Sequence, residues 1–232
     1  MQLSPDETIF WQWRFVTINA TLIYTWIAMV LLVGGAWLIT RRLRTGPEAS
    51  TLQHVLETIV SLIEAQIEEV TQRKATTMIP FVGTLFLFIA TVNVLAVIPG
   101  YRSPAGSLST AAALATCVFV AVPVYGVAAL GAQRYLRQYT QPSIFMLPFN
   151  IIGELSRTLA LAVRLFGNVM SGELIVAILL AVVPLFFPVI MQLFGILVGV
   201  IQAYIFAVLA TVYIASATAS AGRKGNDEAG AR

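Results

Sequence analysis

The chain has 232 residues, of which 58% are hydrophobic and only 11% are charged. A soluble domain carries about a quarter charged residues, so the composition excludes an ordinary soluble protein. The net charge of +3 would suit nucleic acid, but the basic residues stand in short runs beside apolar spans. Such runs orient a protein in the lipid bilayer. The sequence therefore predicts an all-α integral membrane protein that binds no nucleic acid.

The first predicted span covers residues 16–40 and ends at the basic run Arg41–Arg44. Because Lys and Arg accumulate on the cytoplasmic side, this run places the end of the span inside and the N-terminus outside. The residues before the span lack the basic region of a cleaved signal peptide, so we expect the span to remain in the mature protein.

Residues 50–74 show apolar side chains at helical spacing, with acidic side chains on the other face. The acidic residues are Glu57, Glu64, Glu68 and Glu69. This pattern predicts an amphipathic helix on the cytoplasmic surface, docked against the membrane helices or a partner helix. His54 is the only histidine and has no metal-ligating neighbour in the sequence, so no metal site and no cofactor are predicted.

The second and third predicted spans cover residues 78–98 and 110–130. Pro99 and Gly100 end the second span, and a short outside loop leads to the third. Arg134 and Arg137 then return the chain to the cytoplasmic side.

Two unusually long apolar segments follow, at residues 143–183 and 188–221. As straight helices they would be roughly 60 Å and 50 Å long, against a hydrocarbon core of about 30 Å. They must therefore form a strongly tilted hairpin or be broken near a proline or glycine. Arg223 and Lys224 place the C-terminus in the cytoplasm, which gives five crossings.

Four ionisable residues fall within the first of these long segments: Glu154, Arg157, Arg164 and Glu173. Charged residues inside a membrane are costly, and they usually pair or line a polar pathway. Glu173 is nine residues beyond Arg164, about 900° around a helix, and therefore lies on the opposite side. Arg164 consequently needs a carboxylate from elsewhere, or water.

Other polar residues extend the face that carries Arg164. Asn168 and Ser171 follow it at helical spacing, and Arg157 precedes it by seven residues. Arg157 could also snorkel or pair with Glu154, Glu173 could be a buried structural carboxyl, and Asn168 could join two helices.

The last segment offers a partner face for the arginine. Gln202 is its central amide, at a distance from the proline-flanked turn comparable to that of Arg164. Small residues recur every four positions and allow close helix approach, at Gly195, Gly199, Ala203 and Ala207. An antiparallel pairing would bring Gln202 within hydrogen-bonding reach of Arg164.

The motifs resemble a known family. The stretch "LALAVRLFGNVMSGEL" resembles the signature of subunit a of F-type ATP synthases, "IQAYIFAVLATVYIA" its final helix, and "NVLAVIPG" the end of its second span. The resemblance covers most of the chain from Thr51 to Ala219. It implies that a tilted helix hairpin lies against a rotating ring of c subunits, with peripheral-stalk b subunits as further partners.

The resemblance also implies roles for the polar residues. Arg164 would be the essential stator charge that separates two half-channels for H⁺ or Na⁺, with Asn168 and Gln202 as polar neighbours. Glu173 would belong to the outside half-channel, and Glu154, Ser156 and Arg157 to the inner one. Some family members carry a histidine or an acidic residue where this chain has Gly195, so Glu173 is the clear ionisable group on the outer path.

Two other classes of function remain open from the residues alone. One is a secondary transporter or channel in which Arg164 binds an anion, and the other is a scaffold in which Arg164 fills a structural ion pair. No nucleotide-binding loop occurs, so we expect the chain to hydrolyse no ATP by itself. A bacterial-type plasma membrane is the expected location.

Overall fold

The computed structural model describes residues 9–13, 16–41, 51–71, 77–98, 101–139, 145–182 and 187–218. Within these ranges a short β-hairpin precedes seven α-helices. The α-helices are α1 (Ala20–Thr40), α2 (Thr51–Thr71), α3 (Ile79–Leu95), α4 (Leu108–Leu130), α5 (Ala132–Tyr139), α6 (Met146–Val182) and α7 (Phe187–Thr218). Several of the sequence signals lie outside the described residues: Arg42–Arg44, Pro99, Gly100, Arg223 and Lys224.

The hairpin is a departure from the predicted all-α fold. Strand β1 (Ile9–Trp13) pairs antiparallel with β2 (Val16–Asn19), and Trp13 faces Val16 in the register. Aromatic and β-branched residues dominate both segments, and such residues favour strands. The helix of the first predicted span, 16–40, therefore begins only at Ala20.

The two long segments form continuous helices. α6 has 37 residues and α7 has 32, so they are about 55 Å and 48 Å long. Helix α6 continues through Pro148 and through its glycines. Pro148 is tolerated because it lies in the first turn, where a missing N–H loses no intrahelical hydrogen bond. The alternative of a broken helix is thus excluded between Met146 and Val182.

The apolar lengths match a membrane protein. Among the residues that the structure describes, four helical stretches are long and apolar enough to cross a bilayer: Ala20–Leu38, Leu108–Leu130, Leu147–Val182 and Pro188–Thr218. The apolar helix α3 is shorter, at 17 residues or about 25 Å. Large apolar side chains are exposed along these helices, for example Trp26, Val30 and Leu159. Exposure on this scale requires a lipid environment, so the chain is an integral membrane protein.

The interior lies where α3, α4, α6 and α7 meet. Its fully buried side chains include Ile89 of α3, Val118 of α4, Leu165 of α6, and Phe206 and Ile214 of α7. These helices bring small residues into the contacts, which lets their backbones approach closely. The packing fixes the faces of α6 and α7 that carry the polar residues.

The helices α3 and α7 approach each other closely at Gly199. A Cβ atom added at Gly199 would lie 2.6 Å from Cβ of Asn93, whose Nδ2 donates to the Gly199 carbonyl at 3.2 Å. Ala203 and Ala207 are also buried, as the spacing of small residues suggested. Gly195 differs, because nothing lies within 4 Å of the position of its missing Cβ.

The helices α2 and α5 pack against the group of helices formed by α3, α4, α6 and α7. α2 places Ile67 against Val82 and Ala207, and the Tyr204 hydroxyl donates to Oε1 of Gln66 at 2.5 Å. α5 was not predicted from the sequence. It begins after Gly131, whose φ of 80° ends α4 in a conformation that favours glycine.

We predict that Gly199→Ala destabilises the protein by about 1–3 kcal/mol, because the new methyl overlaps Asn93. Thermal unfolding of the detergent-solubilised protein measures the loss. Gly195→Ala, one helical turn earlier on α7, is the matched control and should leave stability unchanged or slightly increased. Equal melting temperatures for the two variants would contradict this packing.

Candidate functional site

The polar residues of α6 divide between two sides of the helix. Arg164, with Arg157 and Ser171, is exposed on one side, whereas Leu161 and Leu165 are buried between the helices. Glu173 faces the loop between α3 and α4. The helical spacing in the sequence predicted that Arg164 and Glu173 could not pair, and their positions agree with it.

Arg164 forms no ion pair in the part of the chain that the structure describes. The adjacent Val163 is exposed and apolar, and Arg157 and Ser171 are the exposed polar residues on the same side. A guanidinium stays charged even when buried, so it cannot escape the cost of an apolar environment by losing its proton. This face of α6 therefore carries a permanent charge that lacks a carboxylate partner among the described residues.

One helical turn from Arg164, the two long helices are joined by an amide pair. Nδ2 of Asn168 donates to Oε1 of Gln202 at 2.6 Å. Gln202 is only 2% exposed, and its Nε2 has no hydrogen-bond partner among the described groups. A buried unpaired donor is costly, so Nε2 is available to water or to another acceptor. The predicted contact of Gln202 with Arg164 is not formed; Asn168 takes that place.

A cavity of about 470 Å³ leads away from this amide pair. It extends between α3, α6 and α7 to the loop between α3 and α4, and its polar lining is Asn93, Tyr101, Arg102, Asn168, Ser171, Glu173, Gln192 and Gln202. At about 30 Å³ per molecule, the volume would hold on the order of 15 waters. The cavity therefore connects Glu173 with the amide pair by a space large enough for water.

The carboxylate of Glu173 lies at the other end of this cavity, beside a buried 3₁₀ turn, Pro104–Gly106. A Cβ atom added at Gly106 would lie 3.1 Å from Oε1 and 3.2 Å from Oε2 of Glu173. The backbone N–H of Ser103 donates towards the carboxylate, and the charge of Arg102 acts on it.

Tyr101 is a site residue that the sequence reasoning missed. Its ring packs edge-on against Tyr24 of α1 at 4.9 Å between centroids, and its buried hydroxyl has no hydrogen-bond partner among the described groups. Burial, together with the neighbouring Tyr24, raises the pKa of Tyr101 to about 12. The phenol is therefore neutral at physiological pH. Its loop position gave no periodic signal.

A second, much smaller pocket of about 10 Å³ lies towards the start of α6. It is lined by Glu154, Arg157 and Thr158 of α6, together with Tyr213 of α7 and residues of α4. The Arg157 guanidinium lies 5.7 Å above the centre of the Tyr213 ring. Ser156, which the sequence grouped with these residues, is exposed and does not line the pocket. Arg164 lies between the two pockets along α6.

These features define a helical integral membrane protein in which a polar-lined cavity and a small pocket lie on either side of Arg164 along α6. The chain belongs to the ATP synthase A chain family, whose family model matches residues 22–215. Members of this family are non-catalytic membrane subunits of the ATP synthase complex.

Relatives match almost the whole chain. It is 60% identical to ATP synthase subunit a 2 of Acaryochloris marina over 218 residues, which are 94% of this chain and 93% of that protein. It is 58% identical to ATP synthase subunit a 1 of Crocosphaera subtropica over 216 residues, 93% of this chain and 94% of the relative. ATP synthase subunit a of Albidiferax ferrireducens is 56% identical over 230 residues, 99% of each chain.

We predict that Asn168→Ala destabilises the protein by about 1–3 kcal/mol, because it leaves the buried Gln202 amide without its described partner. The matched control is Ser171→Ala on the same face, since Oγ of Ser171 donates only to the Asn168 carbonyl within its own helix. Thermal unfolding in detergent measures both. An Asn168→Ala protein as stable as the Ser171→Ala protein would show that the amide pair contributes nothing.

Proposed function

We propose that this chain is the stator subunit of a rotary ATP synthase, and that it conducts H⁺ or Na⁺ between two half-channels along a ring of c subunits. Arg164 separates the half-channels, and the rotation of the ring couples ion flow to the synthesis or hydrolysis of ATP. Membership of the ATP synthase A chain family supports the assignment to the complex. The choice of ion rests with the ring carboxylate and its neighbours.

The observation that carries the proposal is the charge of Arg164 on an exposed face of α6, where no described residue forms an ion pair with it. A charge at membrane depth persists only when a partner or water compensates its desolvation. A carboxylate on a neighbouring subunit would satisfy this need without blocking rotation, because each passing carboxylate replaces the previous one. A nearby cation favours the ionised form of a carboxylate and thus the release of its bound ion.

The large cavity supports an outer half-channel. It begins at the α3–α4 loop beside Glu173 and ends at Asn168 and Gln202. Asn168 lies four residues beyond Arg164 in α6, which corresponds to about 6 Å along the helix axis. Ions entering through this space would thus arrive beside the guanidinium and could load a carboxylate that has moved away from it.

Glu154, Ser156 and Arg157 would line the inner half-channel. Arg164 lies between these residues and the outer cavity, so a continuous path would have to pass a fixed positive charge. Such a charge repels cations and prevents a leak from one half-channel to the other. The pocket beside Glu154 and Arg157 marks the region in which the inner path would open.

The same proposal fixes the orientation. The charge pattern supports five crossings, in which the shorter helix α3 crosses the membrane in addition to the four long helices. The N-terminus would then lie outside and the C-terminus in the cytoplasm of a bacterial-type plasma membrane. The continuous α6 and α7 would be strongly tilted, since each exceeds the bilayer thickness. The helix α2 would lie at the cytoplasmic surface, where the peripheral-stalk b subunits are the further partners.

We predict that Arg164→Ala lowers ATP-driven ion uptake into vesicles that contain the whole complex by about ten-fold or more, as expected for losing at least about 1.4 kcal/mol of charge stabilisation. ATP hydrolysis and the amount of assembled complex should persist, because the Arg164 side chain is exposed. Arg164→Lys should retain only part of the uptake, since a buried ammonium can lose its proton.

Arg134→Gln is the matched control, because Arg134 is an exposed arginine of α5 outside both pockets. Undiminished uptake by Arg164→Ala would refute the stator role. Loss of assembly in parallel with uptake would favour a scaffold, and substrate flux through the purified chain alone would favour a transporter.

A further inference from the structure

The α3–α4 loop contributes an unusually well-ordered set of contacts to the outer cavity. Ser103, Ser107 and the whole turn Pro104–Gly106 are buried. Gly106 N–H donates to the Ser103 carbonyl at 3.0 Å, and Ser107 N–H donates to the Pro104 carbonyl at 3.0 Å. The side chain of Ser107 accepts from the N–H of Ser109 at 3.2 Å. The loop is therefore fixed by its own hydrogen bonds.

This fixed loop touches both oxygens of Glu173. Gly106 leaves a space for them that a side chain would fill, and the N–H of Ser103 is directed at the carboxylate. The N–H groups of Gly106 and Ser107 donate within the turn, so the N–H of Ser103 remains for Glu173. A carboxylate that accepts backbone hydrogen bonds is held in one orientation more firmly than one in water.

We infer that the turn Ser103–Gly106 is a positioning element for Glu173, and that it sets the rate at which ions pass the outer half-channel. This inference rests on the proposed function. The Ser103 N–H and the space at Gly106 hold the carboxylate at the loop end of the cavity and away from the Arg164 side of α6. Glu173 then exchanges ions with the water of the cavity from a fixed position.

The sharpest test compares Ser103→Pro with Ser103→Ala in the whole complex. Ser103 has a φ of −62°, which proline adopts without strain, so Ser103→Pro removes the N–H donor and places Cδ against the carboxylate. Ser103→Ala keeps the N–H and removes only the hydroxyl. We expect ATP-driven ion uptake to fall about ten-fold in Ser103→Pro, the typical effect of losing a hydrogen bond to a charged group. Ser103→Ala should retain uptake within about two-fold, because its lost hydroxyl accepts only from the neighbouring Ala105 N–H.

Combining Ser103→Pro with Glu173→Gln distinguishes a loss of Glu173 positioning from a general loss of loop stability. Glu173→Gln alone should reduce uptake with assembly retained, and adding Ser103→Pro should cause no further reduction, since the two changes act through the same group. Uptake at the wild-type rate in Ser103→Pro, an equal loss in Ser103→Ala, or a full additional loss in the Glu173→Gln background would each overturn the inference.

A smaller change provides an independent arm if Ser103→Pro prevents assembly. Gly106→Ala adds one methyl group against the carboxylate and should reduce uptake two-fold or more, whereas Gly34→Ala on α1 has nothing within 4 Å and should have no effect. Equal uptake by these two variants would contradict the positioning role.

The same measurements distinguish failure of this inference from failure of the proposed function. If ATP-driven ion uptake is normal in Glu173→Gln but reduced in Arg164→Ala, the outer path avoids Glu173. Only the positioning role of the turn is then refuted. If ion uptake is normal in both variants, the stator role of Arg164 and the positioning role of the turn are both refuted.

Discussion

A permanently charged guanidinium without a carboxylate partner among the described residues is the constraint on which the proposed function depends. Arginine does not lose its charge, and an isolated ion at membrane depth costs several kcal/mol even after water and neighbouring groups relax around it. A protein that needed only stability would place a carboxylate beside Arg164. This chain instead has Glu173 on the opposite side of the same helix, against the α3–α4 loop. The separation keeps the positive charge available to a group outside the chain.

The fold keeps that separation rigid. Close packing of α3 against α7 at Gly199, and the amide pair between Asn168 and Gln202, fix α6 relative to its neighbours. Leu161 and Leu165 are buried in the helix contacts of α6, whereas the cavity reaches Glu173 and the amide pair. Arg164 is not among the residues that line this cavity. Stability and the shape of the cavity thus depend on the same helix packing.

Sequence reasoning succeeded where periodicity carries the information. A rotation of 100° per residue separates Arg164 from Glu173. Apolar length predicted two long membrane segments, either as a tilted hairpin or as broken helices, and the structure shows continuous helices over Met146–Val182 and Phe187–Thr218. It failed where contacts join residues far apart in sequence. Nothing periodic indicates that Gly106 receives the Glu173 carboxylate, or that Asn168 rather than Arg164 bonds Gln202. The N-terminal hairpin was missed because strand propensity was outweighed by the apolar run that follows it.

The most direct measurement is the distance between the Arg164 guanidinium and its nearest carboxylate in a structure of the assembled membrane sector, determined by electron cryomicroscopy. The proposed stator role predicts a carboxylate of an adjacent ring subunit within direct or single-water hydrogen-bonding reach, with Glu173 still beside the α3–α4 loop. An Arg164 guanidinium that forms an ion pair with Glu173 or Glu154 of its own chain, and that lies far from any ring, would contradict the stator role.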